Sequence, residues 1–169
     1  STLFFRAAVL PDQYELAHSP NTKYQGRGAA LLFDLEKGPD NFGDSAWMAF
    51  REELFVLNCS WNKEVELSSV TISTLIQTDP YLFPPQSIIV KGGLTETNMK
   101  VLASLNPEKL QQRMERYFDY FALDFELSTI KYLQIEVLPL QSLPAWHQGK
   151  GQKAWFFIDE VALDGTIVP

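Results

Sequence analysis

The residues of this chain that could start a reaction are few and scattered. His18 and His147 are its two histidines, and each sits in a loop-like stretch far from the other. Neither falls in a metalloprotease helix motif or a nucleophile elbow, the two short patterns that would give a lone histidine a catalytic setting. No glycine loop of the phosphate-cradling kind is present. Asp and Glu total 21, and glycosidic cleavage needs two of them flanking one bond. Nothing in the spacing pairs any two, so they read as solvated surface. Cys59, the one cysteine, rules out an internal disulfide framework and a multi-cysteine metal site. Catalysis by this chain alone is not expected.

Binding chemistry is better represented. The segment DLEKGPDNFGD over residues 34–44 concentrates oxygen donors in a tight loop. Asp34, Asp40, Asn41 and Asp44 are hard ligands, suited to calcium rather than to a transition metal. The spacing is not that of an EF-hand, and the competing reading is a turn whose Asp and Asn bond their own backbone. A second concentration is aromatic. Tyr24, Phe42, Tyr81, Phe83 and Trp146 fall outside the strand-like runs. Flat sugar faces stack on such rings while polar neighbours fix orientation. Tyr81 and Phe83 lie in DPYLFPP, residues 79–85, where prolines stiffen the backbone and lower the cost of binding. Trp146 and His147 form the second candidate pair. The expected glycan-binding residues are therefore Tyr81 as stacking platform, Trp146 and His147 beside it, and Asp79 as hydroxyl acceptor. The competing reading makes Trp146 a core plug and has His147 bond a nearby carbonyl.

The elements that must carry these loops are strands. Leu133, Ile135 and Val137 alternate with Gln134 and Glu136, the period of a half-buried strand. Phe121, Leu123, Phe125 and Leu127 repeat the pattern, as do Phe55, Leu57 and Cys59, and Val70 with Ile72. Residues 87–90 and 155–163 are rich in strand formers. Turn-forming clusters separate the runs at 37–45, 79–85, 91–98 and 143–153. Asn106, Pro107 and Glu108 resemble a helix start, and a short helix is expected near Glu108–Arg116. Many short strands with Pro and Gly punctuation predict an all-β, two-sheet antiparallel sandwich.

The 169 residues suffice for one domain with a real core, and residues 1–169 are read as a single domain. A formal net charge of -7 argues against nucleic acid as partner, because phosphates are captured by clustered Lys and Arg. It argues equally against anionic lipid, and no apolar run reaches membrane-spanning length. The first residue is Ser1, which reads as a processed chain or a domain excised from a larger protein.

The stretch LPAWHQGKGQKAWFFIDEVAL, residues 143–163, resembles the end of discoidin-like (galactose-binding-like) domains of Bacteroides-type chitobiases and β-N-acetylhexosaminidases. Lys37–Phe42, Trp47 with Phe50, residues 67–72 and residues 83–85 follow in that family's order. Two departures stand out: Asp34-Leu35 where the family has Asp-Gly, and Leu57–Trp61 where it has a different strand end. The resemblance implies a jelly-roll sandwich serving as a non-catalytic, carbohydrate-binding accessory module of an exported bacterial glycoside hydrolase. Its expected partners are a glycan, N-acetylhexosamine-containing or galactose-like, and the catalytic domain of the parent enzyme. The alternative is a structural module that packs on that domain without a sugar ligand. The resemblance also implies a structural Ca²⁺ held by the 32–44 loop, with Asp34, Asn41 and Asp44, and by a carboxylate from the last strand, here Glu160.

Overall fold

The structure, a computed structural model, describes residues 9–167. Seven strands run β1 (Gln13–Leu16), β2 (Met48–Phe50), β3 (Phe55–Ile76), β4 (Ser87–Gly93), β5 (Lys100–Leu105), β6 (Tyr117–Leu138) and β7 (Phe156–Ile167), with one 3₁₀ turn at Ala29–Phe33. All strand pairings are antiparallel. The fold is the expected all-β sandwich of jelly-roll type.

Its two layers share β3 and β6, each 22 residues long. The first half of β3 pairs with β1 and with the second half of β6, which continues into β4 and β5. The second half of β3 pairs with the first half of β6 and with β7, which carries β2. Bulges make the passage between layers possible. Register shifts fall between Ser60 and Val65 and between Leu67 and Ser69. A one-residue slip would turn every following side chain to the other face. The sequence compensates: the buried residues of β3 are Phe55, Leu57, Cys59, Val65 and Leu67, then Val70 and Ile72. The apolar parity changes where the bulge does, so the same core is filled on both sides of it. Ile88 and Val90 of β4, Leu133, Ile135 and Val137 of β6, and Ile158, Val161 and Leu163 of β7 complete that core.

The bulge also corrects one expectation. Leu127 continues the alternation of Phe121, Leu123 and Phe125, yet it is 56% exposed. The β6 residues from Asp124 to Ser128 lie opposite the Leu67/Ser69 irregularity, so alternation ends before Leu127. A second correction concerns the segment before β6. No helix forms at 108–116. The Met114 N–H donates to the Thr78 hydroxyl, and Thr78 donates back from its N–H and its Oγ1 to the Met114 carbonyl. Leu110 packs against the cluster of Phe83, Leu140, Leu143 and Ala154. Tertiary partners thus satisfy a backbone that a helix would have satisfied internally.

The two described ends meet the same stretch of β3. The Asn62 N–H donates to Asp12, the Trp61 indole donates to the Leu10 carbonyl, and Ile167 pairs with Val65. The sandwich therefore closes on itself, leaving the loops at the opposite ends of β3 and β7 to carry a site.

Candidate functional site

Two loops and one extended segment converge at that end. The first loop follows β3. Gln77 and Leu82 exchange backbone hydrogen bonds of 3.0 Å in both directions, and the Tyr81 N–H donates to the Thr78 carbonyl. Closing so tight a turn forces Tyr81 to φ 75, a left-handed conformation that costs a bulky residue energy and persists only where its surroundings hold it. The surroundings are the second loop. The Trp155 N–H donates to the Tyr81 carbonyl at 2.8 Å, and the Phe83 N–H donates to the Trp155 carbonyl at 3.3 Å. Leu82, Phe83, Pro84 and Pro85 are all buried, so the proline-stiffened strip is an anchor, with only its Asp79–Tyr81 tip reaching the surface.

His147 joins the two loops. It is 6% exposed, and its Nε2 lies 2.5 Å from the Thr78 carbonyl oxygen while its Nδ1 accepts the Gly149 N–H at 2.8 Å. These partners define a neutral imidazole that donates from Nε2. The ring contacts Tyr81, Phe83 and Trp146 edge-on or nearly so. Both ring nitrogens are engaged by the backbone, so His147 holds the two loops together.

Tyr81 is also largely occupied. A Cβ on Gly149 would fall 2.5 Å from the Tyr81 ring, and the Arg51 guanidinium lies 5.8 Å from the ring centroid on its way to Trp155. The ring is a wall between loops, half-buried. Trp146 differs: it is 38% exposed, its indole N–H donates to the Leu110 carbonyl, and its ring leans on Phe83 at 5.9 Å. Its ring is held by the Leu110 carbonyl, Phe83 and His147, and a part of it faces solvent.

Asp79 is exposed and gripped by Arg113, whose Nε reaches Oδ1 at 3.0 Å while Nη2 reaches Oδ2. Gln148 donates to the Asp79 carbonyl. Arg113 escapes a sequence reading because its segment looks helical, and only the extended path along Thr78 brings it to Asp79. Beside this pair lies a cleft of about 210 Å³ lined by Gln77, Asp79, Arg113, Met114, Glu115 and Arg116. His147, next to Trp146, ties its loop to Thr78, next to Asp79, so both candidates lie at this end of the sandwich, and the exposed Asp79–Arg113 fork there suits hydroxyl recognition. Two larger depressions, of about 410 and 710 Å³, lie along β1 and β3 and around the β4–β5 turn.

The metal-ligand candidates divide. Asn41 accepts from the Gly43 N–H and Asp44 from the Ala46 N–H, so both carboxamide and carboxylate close their own turn. That turn presents Phe42 to Tyr24 and Phe157. Asp34 and Glu160 come together elsewhere. Glu160 is buried, and its carboxyl oxygens make no well-formed hydrogen bond, lying near the Asp34 carboxylate and the Leu35 backbone N–H. Burial, then the neighbouring Asp34 carboxylate and the charge of Asp159, push its carboxyl up to about 10. Among the described residues, no three or more His, Cys, Asp and Glu side chains are grouped so as to hold a metal ion by themselves.

A bulge creates this pairing. Ser73 of β3 stands opposite Glu160 of β7 and Thr74 opposite Ile158, leaving Asp159 as the extra residue of β7. Both acidic side chains then meet the loop at 34–38: Glu160 at Asp34, and Asp159 at the Gly38 N–H and the Lys37 ammonium. Leu35 sits between them at φ 63, which is the physical meaning of the Asp-Gly to Asp-Leu departure: the position needs a left-handed residue.

No family model and no curated protein matches this chain. Solved structures do. The chain is similar to the C-terminal domain of a chitobiase from Bacteroides fragilis at 14% identity and TM-score 0.55, over 95% of this chain and 99% of that one. It is similar to a Clostridium perfringens family 32 carbohydrate-binding module in complex with GalNAc-β-1,3-galactose at 11% identity and TM-score 0.54, over 89% and 93%. The corresponding module of the alginate lyase AlyQ, in complex with 4,5-unsaturated mannuronic acid, matches at 10% identity and TM-score 0.53, over 92% and 95%. At these identities the shared property is the fold.

Proposed function

We propose that the chain is a non-catalytic carbohydrate-binding module, and that it binds its glycan at the end of the sandwich that carries Trp146, Asp79 and Arg113. The observation that carries the reading is the half-open Trp146 ring on the same rigid end as the Asp79–Arg113 fork. Solved domains of this fold carry GalNAc-β-1,3-galactose and 4,5-unsaturated mannuronic acid, which supports a sugar as ligand. In this role the module belongs to a larger exported glycoside hydrolase and holds it near a glycan, raising the local substrate concentration. The test is retention of the chain on immobilised glycans, with loss of retention in Trp146→Ala.

Calcium is proposed as a structural ligand of Asp34 and Glu160. Two buried oxygens with no well-formed hydrogen bond, beside a second carboxylate, suit a hard cation, whose remaining donors would be backbone carbonyls and water. Asn41 and Asp44 are not part of this set, since their side chains close a turn. The salt bridge from Arg27 to Asp34, 2.9 Å long, competes for the same carboxylate.

A second reading, a module that docks on its catalytic domain without a sugar, draws on a different surface. Leu94 and Leu127, exposed by 50% and 56%, border the depression around the β4–β5 turn, with Val101 on the neighbouring strand. A chain that ignores every glycan but binds the catalytic domain through this surface would favour it.

A further inference from the structure

The layer built by β1, the first half of β3 and the second half of β6 has a polar outer face. Tyr14, Cys59 and Leu133 turn into the core, so their chain neighbours Gln13, Glu15, Asn58, Ser60 and Tyr132 stand on the opposite face. The registers set them side by side. Gln13 lies beside Ser60 and Ser60 beside Tyr132, while Glu15 lies beside Asn58 and Asn58 beside Gln134. Neighbouring strands are about 4.8 Å apart, so each row crosses about 10 Å of sheet. The depression of about 410 Å³ lies over these rows, and Glu96 and Met99 of the β4–β5 turn form its far side. Gly93, opposite Tyr132, lets that turn fold in so closely: a Cβ there would fall 2.4 Å from the Asn98 carbonyl oxygen.

These side chains are accessible and keep hydrogen-bonding capacity. Gln13 and Glu15 are exposed, and Asn58, Ser60 and Tyr132 are half-buried. Gln134 Nε2 donates to Asn58 Oδ1 at 2.9 Å, which leaves the Asn58 amide N–H groups to spare. The Ser60 hydroxyl donates to Gln13 Oε1 at 3.3 Å, which leaves the Gln13 amide N–H groups to spare. Among the described residues, no hydrogen bond or ion pair engages the Glu15 carboxylate or the Tyr132 hydroxyl. The lining contains no Lys or Arg, the residues that capture a polyanion. Its outward side chains include one ring and one thioether, too little apolar surface for the centre of a protein interface. A sugar asks for something else: donors and acceptors within one small area, beside a flat apolar group. Asn58 and Gln13 supply donors, Glu15 an acceptor, and Tyr132 a hydroxyl on an aromatic ring.

We infer that this depression is a second glycan subsite, on a sheet face rather than in loops, and that it takes a short neutral oligosaccharide lying across β1, β3 and β6. Sugar hydroxyls accept from the Asn58 and Gln13 amides, donate to Glu15 and exchange hydrogen bonds with the Tyr132 hydroxyl. The inference rests on the reading of the chain as a glycan binder, but not on the loop-end site, since Asp79, Arg113 and Trp146 line no part of this depression. An open depression with four such groups holds a sugar at roughly millimolar affinity, too weakly to retain the chain on a surface by itself. Beside a stronger site on the same domain it raises avidity toward a repeating glycan.

The experiment is an amide NMR titration of the whole chain, and of a variant carrying Asn58→Ala and Tyr132→Phe, with lactose, N,N′-diacetylchitobiose, cellotetraose and xylotetraose. The variant removes two hydrogen-bonding groups and keeps the ring; Tyr132→Phe alone replaces it if the pair melts early. The expected result is that at least one sugar shifts the amides of Asn58, Ser60 and Tyr132 in a saturating manner. In the variant that sugar should bind the sheet face more weakly by about tenfold or more, as loss of two hydrogen bonds does, while any shifts at Asp79 and Trp146 keep their midpoint. Titrations in which every sugar that binds moves only the loop-end amides, or in which the variant keeps full affinity at the sheet face, overturn the inference and leave the loop-end site standing. Shifts at the sheet face alone uphold it and remove the loop-end site. No shift from any of these sugars, with no retention on a glycan array, overturns both.

Discussion

The imidazole of His147 and the carbonyl of Thr78, 2.5 Å apart, tie the last loop of the chain to the loop after its third strand. Two candidate glycan-binding residues hang from this link. Asp79 follows Thr78 directly, and Trp146 precedes His147. Removing the imidazole leaves the buried Gly149 N–H without a partner, at about 1–3 kcal/mol, and leaves the Thr78 carbonyl with the Tyr81 N–H alone.

His147→Ala is therefore expected to lower the melting temperature by several degrees, at roughly 2–4 °C per kcal/mol for a chain of this size. It should also weaken glycan retention. A calorimetric melt together with a binding assay checks both. Unchanged stability would place the ring outside the framework described here.

Tyr81 and Gly149 are coupled by contact. A methyl group on Gly149 would fall 2.5 Å from the Tyr81 ring, so Gly149→Ala should destabilise by about 1–3 kcal/mol, the usual cost of overpacking. Tyr81→Ala should also destabilise, because its ring fills the space between loops. The double variant should lose less than the sum of the two, since removing the ring removes the clash. Additive losses in a denaturant-melt cycle would mean the two residues do not press on one another.

Glu160 supplies the metal test. If calcium binds only the folded protein, the melting temperature rises with calcium and falls in chelator, following mass action. Glu160→Gln should abolish that response while leaving the chelated protein about as stable as the parent near neutral pH, because a carboxyl pushed up to about 10 is already neutral there and an amide of similar shape replaces it. Equal melting temperatures of the parent chain in millimolar calcium and in chelator would remove the ion from the account.

The strands that carry the core were legible from alternation alone, down to Phe55, Leu57 and Cys59, because one buried face leaves a period of two in the residues. Leu127 shows the limit: alternation runs through a bulge without a mark, and only pairing with β3 ends it. The site was legible in its loops but not in its roles. Asp79, Tyr81, Trp146 and His147 do share one end of the sandwich. Which ring faces solvent depends on the Gly149 contact and on two hydrogen bonds to the backbone, none of which has a local signature. Arg113 was invisible for the same reason, since it lies on a segment that local propensity reads as helix. Asp34 and Glu160 were named together by resemblance, and a bulge at Asp159 is what turns the second toward the first.

The account rests most heavily on the half-open Trp146 ring. An array of immobilised glycans probed with the parent chain and with Trp146→Ala tests it directly, with melting curves run in parallel. The parent chain should be retained by a subset of neutral glycans. The variant should lose that retention at a stability cost of about 1–2 kcal/mol, below the roughly 3–5 kcal/mol of a fully buried tryptophan. Retention of both proteins on the same glycans would contradict the proposed site, and retention of neither would contradict the function.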